Sequence, residues 1–269
     1  MKLTIGIATC GRPNILRRCL RSIRAHTHID YEIIVLDNAK AFTDDPDAVP
    51  NISSKYKYIE VADNKVGCCE SNNILQDNCT TEYFMHLDDD VYINTDGFID
   101  ELFDTYLKLE GKYDNLGVVG ASWYDTFYED YRQASMKYVF GYNNSGKKII
   151  KKIPINYKFV KGFGFKLVRT DECLHTMIIN LEKFKKLNIR WDNKFKWKGD
   201  RLDYFMQIQK KNLVNYQLLD PVAIHDPKPF KYGSLSYEDF GGKEAKEYFY
   251  RKWGYYPLTG WDRYQVKPR

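Results

Sequence analysis

The chain has 269 residues, 43% of them hydrophobic and 16% aromatic, which excludes a disordered chain and gives enough length for one large α/β domain or two small ones. Lys+Arg exceeds Asp+Glu by 41 to 36, a formal charge of +5; this mild basic excess suits a phosphorylated ligand or a nucleic acid and selects neither. Cys10, Cys19, Cys68, Cys69, Cys79 and Cys173 form no CxxC pair, which argues against a zinc or disulfide framework and for a reducing compartment.

Leu3 to Ala8 reads as a short buried strand, closed by the turn Gly11-Arg12-Pro13. Asn14 fits an N-cap, and Ile15, Leu16, Cys19, Leu20 and Ile23 recur at helical spacing. Arg17, Arg18, Arg21 and Arg24 then form a solvated face. Glu32 to Leu36 is a second buried strand, followed by Asp37-Asn38. Strand, helix, strand at this length is a βαβ unit with parallel strands and a right-handed crossover. Ligands of open α/β sheets sit beyond the carboxyl ends of the strands, so Thr9, Cys10, Gly11 and Asp37 share one rim. Phe42 to Ser54 reads as a loop, Tyr56 to Val61 as a third strand, and Asn64-Lys65-Val66-Gly67 as a turn into a helix over Cys68 to Gln76.

Tyr83 to Leu87 is the fourth strand, and it ends in Asp88-Asp89-Asp90. Three adjacent carboxylates repel one another unless water or a cation screens them. A hard divalent ion takes oxygen ligands of this kind and completes its shell with water and phosphates. The triplet falls on the same rim as Thr9 and Asp37, which a solvated acidic turn has no reason to do. His86, on the same strand, reads as a core residue.

Gly97 to Leu109 is an amphipathic helix and Leu116 to Ala121 a buried strand. Gly146 to Lys152 reads as an exposed Lys-rich turn. Gly162-Phe163-Gly164 interrupts an apolar run and fits either a close backbone approach to a ligand or a plain bulge. Leu181 to Asn188 is a short helix, Asp203 to Lys211 another, and Pro221 to Pro227 a strand that ends at His225. Trp123, Trp191 and Trp197 either stack on a sugar or fill the core. Asn94-Thr95-Asp96-Gly97 fails as a calcium loop because Tyr92 and Phe103 stand where acids are required.

Taken in order, Thr9-Cys10-Gly11-Arg12-Pro13, Asp37-Asn38, Asn64-Lys65-Val66-Gly67 with Asn73, Leu87-Asp88-Asp89-Asp90, Gly162-Phe163-Gly164, Gly199-Asp200-Arg201-Leu202-Asp203, His225 and Lys252-Trp253-Gly254 resemble the GT-A class of nucleotide-sugar glycosyltransferases, in its inverting, family-2-like branch. The resemblance implies an α/β Rossmann-like sandwich with a mostly parallel central sheet flanked by helices. It implies one catalytic domain over 1–269, with about residues 1–120 binding the nucleotide sugar and about 121–269 the acceptor.

The implied roles follow the matched positions. Thr9, Cys10, Gly11, Arg12, Asp37, Asn64, Gly67, Asp88 and Asp89 line the donor site. Asp90, with Asp88 and His225, holds Mn²⁺ or Mg²⁺. Gly162, Phe163, Gly164 and Arg201 lie along donor or acceptor. The catalytic base is Asp200 or Asp203. Relatives often carry adjacent acids where this chain has Asp200-Arg201, and Asp200 to Asp203 also resembles a motif of retaining enzymes. Arg201 pairs either with a phosphate or with a neighbouring Asp. The implied reaction moves a sugar from a nucleoside-diphosphate sugar, UDP favoured, to a hydroxyl of a glycan, protein or nucleic acid; a base in DNA and a non-catalytic sugar- or nucleic-acid-binding module are the alternatives. No stretch approaches the ~20 apolar residues of a membrane span, so the expectation is a soluble, cytoplasmic protein unless an anchor has been removed.

Overall fold

The computed structural model describes residues 2–38, 56–61, 66–126, 130–132, 136–143, 145–154, 167–173, 175–195, 199–226 and 242–257. The chain begins with β1 (Leu3–Thr9), α1 (Pro13–His26), β2 (Tyr31–Asp37), β3 (Tyr56–Glu60), α2 (Cys68–Asp77) and β4 (Tyr83–Leu87). These are the expected elements, with bounds shifted by a residue or two. Helix α1 differs at its start: Arg12 is the N-cap, without a side-chain bond, and Pro13 opens the helix. Proline suits that place because its fixed φ is helical and its missing N–H would have no partner there. Asn14 therefore lies inside the first turn, accepting from Arg17 Nη1 at 2.9 Å.

Beyond β4 come β5 (Val91–Tyr92), α3 (Phe98–Glu110), β6 (Leu116–Asp125), β7 (Asp130–Arg132), β8 (Met136–Tyr142), β9 (Lys148–Pro154), β10 (Leu167–Thr170), β11 (Thr176–Asn180), α4 (Leu181–Lys186), α5 (Asp200–Lys210), β12 (Val214–His225), α6 (Gly242–Trp253) and β13 (Tyr256–Pro257). The Lys-rich stretch read as a turn is mostly strand β9. Its turn closes earlier, where Asn143 and Gly146 bond within residues 143–147. Lys148 and Lys151 face solvent while Ile149 and Ile150 are buried. Helix α5 begins at Asp200, three residues ahead of the expected start, and Tyr248 to Trp253 form the second half of helix α6.

The main sheet runs β10-β12-β6-β11-β4-β1-β2-β3, with β5 on β12 and β7 on β6. Strands β3, β2, β1 and β4 are parallel throughout. Then β11 enters antiparallel between β4 and β6, and β12 runs parallel to β6. Strands β8, β9 and β13 make a separate small sheet. Alternate residues of β2 and β4 serve two cores. Ile33, Val35, Tyr83 and Met85 pack with α1 and α3 on one face. Ile34, Leu36 and Phe84 pack with α2, α4, α5 and α6 on the other. Each fully buried Leu or Phe contributes roughly 1.5–3 kcal/mol of transfer free energy, so the sheet is held firmly from both sides. Both cores leave the carboxyl ends of the parallel strands to shape the site.

Candidate active site

Thr9 pairs with Asp37, and Asp37 with Glu60, so β1, β2 and β3 end level. Gly6 pairs with His86, which brings Asp88 up to the same rim. There the three aspartates face three different sets of partners.

Asp88 is gripped by bases. His86 Nε2 lies 2.8 Å from its Oδ1, His175 Nδ1 2.5 Å from its Oδ2, and Arg201 Nη2 donates to Oδ2 at 2.9 Å. Burial alone would raise its pKa. The Arg201 charge and the two histidine bonds outweigh burial and hold the carboxyl well below the usual carboxylate range. Asp89 is 1% exposed and accepts from Thr9 Oγ1 at 2.6 Å and from Arg12 Nε at 3.1 Å, with Arg12 Nη2 on its other oxygen. It fastens the β1 turn, in which Gly11 takes a left-handed φ of 62° that favours glycine. Asp90 gives Oδ2 to Arg12 Nη1 at 3.0 Å and turns Oδ1 toward His225 Nε2, 3.6 Å away.

Asp90, His175 and His225 each offer one ligand atom, and these atoms lie within 4.8 Å of one another. The two imidazoles stack, with centroids 4.1 Å apart, and Trp123 meets His175 edge-on at 4.5 Å. Burial pushes the His175 ring down to about 4, against the pull of Asp88, so it is neutral near pH 7. Arg18, read as part of a solvated face, instead donates to Asp226 at 2.6 Å and lies over the Tyr92 ring at 4.3 Å. The Asp226 N–H donates to the Asp90 carbonyl at 2.9 Å, joining the ends of β12 and β4.

The second acidic segment arrives on α5. Gly199 caps it at φ 81°, and Asp200 is its first residue. Burial raises the Asp200 carboxyl against the opposing charge of Arg201. Burial, and then the nearby charge of Asp200, raise the thiol of Cys68, the first residue of α2. Lys152 and Glu172 also act on Asp200; they pair with each other at 2.6 Å, and Glu172 accepts from Tyr138 Oη at 2.8 Å. Asp203 behaves differently. It is fully buried, and Trp253 Nε1, Lys252 Nζ and Gln207 Nε2 reach its two oxygens at 2.7, 2.7 and 2.8 Å.

The sequence profile of glycosyl transferase family 2 matches residues 4–187, well over half of the chain. The chain belongs to that family. No curated protein matches its sequence. Among solved structures its fold is similar to S. aureus TarS 1–349 in complex with UDP-GlcNAc, at a TM-score of 0.59 and 16% identity over 94% of this chain and 66% of that one. It is also similar to GalNAc-T7 with UDP, GalNAc and Mn²⁺, at 0.64 and 15% over 94% of this chain and 51% of that one. The family-2 chain thus spans less than two thirds of either chain, and at these identities the likeness is one of GT-A fold.

Other described positions of the matched set contact neighbouring parts of the chain. Asp37 is fully buried and accepts from Tyr58 Oη at 2.8 Å. Asn38 donates to Ser71 Oγ at 2.9 Å, and Ser71 to the Gly67 carbonyl at 3.0 Å, so the α2 start is tied to the end of β2. Asn73 donates to the Trp191 carbonyl at 2.8 Å. Trp191 stacks on Tyr204 at 4.2 Å in the core. Cys10 is buried. Asn64, Gly162, Phe163, Gly164 and Trp197 lie outside the described residues. A surface cleft of about 460 Å³ between Arg169, Gln209 and Asn215 lies at the starts of β6 and β12, the end of those strands opposite His225. Among the described residues no helix is long and apolar enough to cross a membrane.

One carboxylate oxygen and two imidazole nitrogens suit a divalent ion. Atoms sharing one ion at about 2.1 Å stand roughly 3–4 Å apart; His225 Nε2 and Asp90 Oδ1 are 3.6 Å apart, and all three ligand atoms lie within 4.8 Å of one another. His175 was not found from sequence, because only the antiparallel pairing of β11 with β4 brings it beside Asp88. That pairing leaves no local signal.

Proposed function

We propose that this glycosyltransferase moves a sugar from a nucleoside-diphosphate sugar, UDP favoured, to an acceptor hydroxyl with inversion, and that it requires Mn²⁺ or Mg²⁺. The observation that supports it most is the Arg201–Asp88 ion pair at 2.9 Å, because it fastens the helix start bearing Asp200 to the end of the strand bearing Asp90. A base and a cation site then flank one reacting centre. The TarS and GalNAc-T7 structures, with their UDP-containing ligands, support the donor class.

In this reading Asp90 and His225 hold the cation, Asp88 faces the ribose, and Thr9, Arg12, Asp89 and Gly67 shape the diphosphate pocket with the starts of α1 and α2. Helix starts favour such anions. The bound cation supplies Lewis-acid charge for the departing diphosphate. Asp200 takes the acceptor O–H proton as that oxygen bonds to the anomeric carbon. The bond from that carbon to the diphosphate oxygen breaks, and its electron pair leaves with the diphosphate. A carboxyl raised by burial is a stronger base, which suits Asp200. The three donors on Asp203 favour Asp200 over it, and favour the inverting reading over the retaining one. Residues 1–269 act as one catalytic domain, about 1–120 for the donor and 121–269 for the acceptor. Exposed Phe140 and Tyr142 beside Lys148 and Lys151 give the second half a surface suited to an acceptor.

The test is release of UDP from a panel of UDP-sugars with Mn²⁺, followed for the intact chain and for Asp90→Ala. Turnover of at least one donor, lost in the variant, is expected. No turnover of any donor, with donor binding unaffected by Asp90→Ala, would overturn the reading.

A further inference from the structure

We propose that His175 is a third protein ligand of the cation, and that it biases the site toward a transition ion over Mg²⁺. This rests on the cation site proposed above and adds to it a residue outside every matched motif.

The geometry supports a ligand in three ways. The offered atom of His175 lies within 4.8 Å of those of both Asp90 and His225. Its Nδ1 is 2.5 Å from Asp88 Oδ2, and a carboxylate has no proton to give, so Nδ1 donates and the lone pair belongs to Nε2. A ligating histidine nearly always passes its other N–H to a carboxylate in this way, which fixes tautomer and ring orientation. Third, the ring is locked: Trp123 packs on it edge-on at 4.5 Å, His225 stacks on it at 4.1 Å, and its backbone takes a left-handed φ of 60°. A non-glycine residue held there points to a position fixed by its surroundings.

Asp88 then has a second part beside the one its motif suggests. Both of its oxygens are engaged by His86, His175 and Arg201, so it buttresses a ligand. Arg12 does the same for Asp90, holding Oδ2 and leaving Oδ1 toward His225. Two imidazoles and one carboxylate form a donor set that Mg²⁺ matches poorly, since Mg²⁺ prefers carboxylate, water and phosphate oxygen. Imidazole donors favour first-row transition ions, with Co²⁺ bound more tightly than Mn²⁺.

The experiment uses the metal-stripped chain without donor. Co²⁺ is titrated by visible absorption and Mn²⁺ by loss of the free-ion EPR signal, each alone and against Mg²⁺. The variants are His175→Asn, which tolerates a left-handed backbone, His175→Ala and Asp90→Asn; metal-free thermal melts confirm that each is folded. One equivalent should bind the parent chain. Replacing His175 should weaken Co²⁺ at least about tenfold, alter its absorption bands, and narrow the preference over Mg²⁺. If both His175 variants bind Co²⁺ with parental affinity and spectrum while Asp90→Asn does not, His175 is not a ligand and the cation site stands. If the parent binds neither ion, with or without UDP, the cation site itself is wrong.

Discussion

Arg201 Nη2 donates to Asp88 Oδ2 at 2.9 Å, across 113 positions of sequence. The two side chains are 25% and 20% exposed, so the pair is shielded without being sealed. Of the two partners the sequence leaves open to Arg201, a phosphate and a neighbouring Asp, the chain itself supplies a carboxylate, that of Asp88. Arg201→Met should lower stability by about 1.5–3 kcal/mol, the range for a hydrogen bond between charged groups, as read from urea unfolding. Transfer should fall further than stability accounts for, because Asp200 and the strand end would lose their tie. Parental unfolding and parental turnover would show the pair to be incidental.

Asp200→Asn keeps the size of the side chain and removes the base. Transfer should fall about 10²–10⁴-fold while donor binding, measured by thermal shift with Mn²⁺, stays near parental. Loss of donor binding in step with activity would move Asp200 from the reacting centre to the donor pocket.

How much of this was legible beforehand depended on the range of the contacts. The parallel strands ending at Thr9, Asp37 and Leu87 were readable because a βαβ unit is local and its rim is set by strand direction. Asp90 and His225 were readable as strand-end residues. His175 was not, since residues 176–180 give no sign of which strands they separate. Nor was the partner of Arg18, because Asp226 lies 208 positions away. The run from Gly146 to Lys152 misled for another reason: Lys148 and Lys151 face solvent on a strand whose Ile149 and Ile150 are buried, and a count of charges hides those two residues.

Gly199 turns the chain into α5 at φ 81°, and a Cβ there would come within 3.1 Å of Phe195. Gly199→Ala should cost about 1–2 kcal/mol for the left-handed conformation alone. Since Asp200 is the next residue, relief of that strain would also displace the base. A lower melting temperature together with slower transfer is expected; a melt and rate equal to the parent's would show that the turn relaxes freely.

The last prediction separates Asp203 from Asp200. Asp203 is wholly buried under Trp253 and Lys252, and Lys252 also reaches Asp192 at 2.8 Å, where Tyr248 donates at 2.7 Å. These contacts dock α6 onto α5. Asp203→Asn should lower stability by about 1.5–3 kcal/mol, since it removes the charge that Trp253 and Lys252 donate to, while the folded fraction keeps its turnover. Protonation should reveal the same dock. Burial would lower the Lys252 pKa, yet its bonds to Asp192 and Asp203 raise it overall. The stability it adds is full below its ordinary pKa of about 10.4 and is lost as pH rises through the raised folded value. Burial would raise Asp192, yet the bonds from Lys252 and Tyr248 lower it overall. Its contribution is full above about 3.9 and is lost as pH falls through the depressed folded value. Urea midpoints measured across pH should therefore show a plateau that falls away at both ends, and Lys252→Met should flatten the alkaline fall. If Asp203→Asn unfolds at the parental midpoint but abolishes transfer, Asp203 acts in the chemistry and Asp200 is no longer the sole candidate for the base.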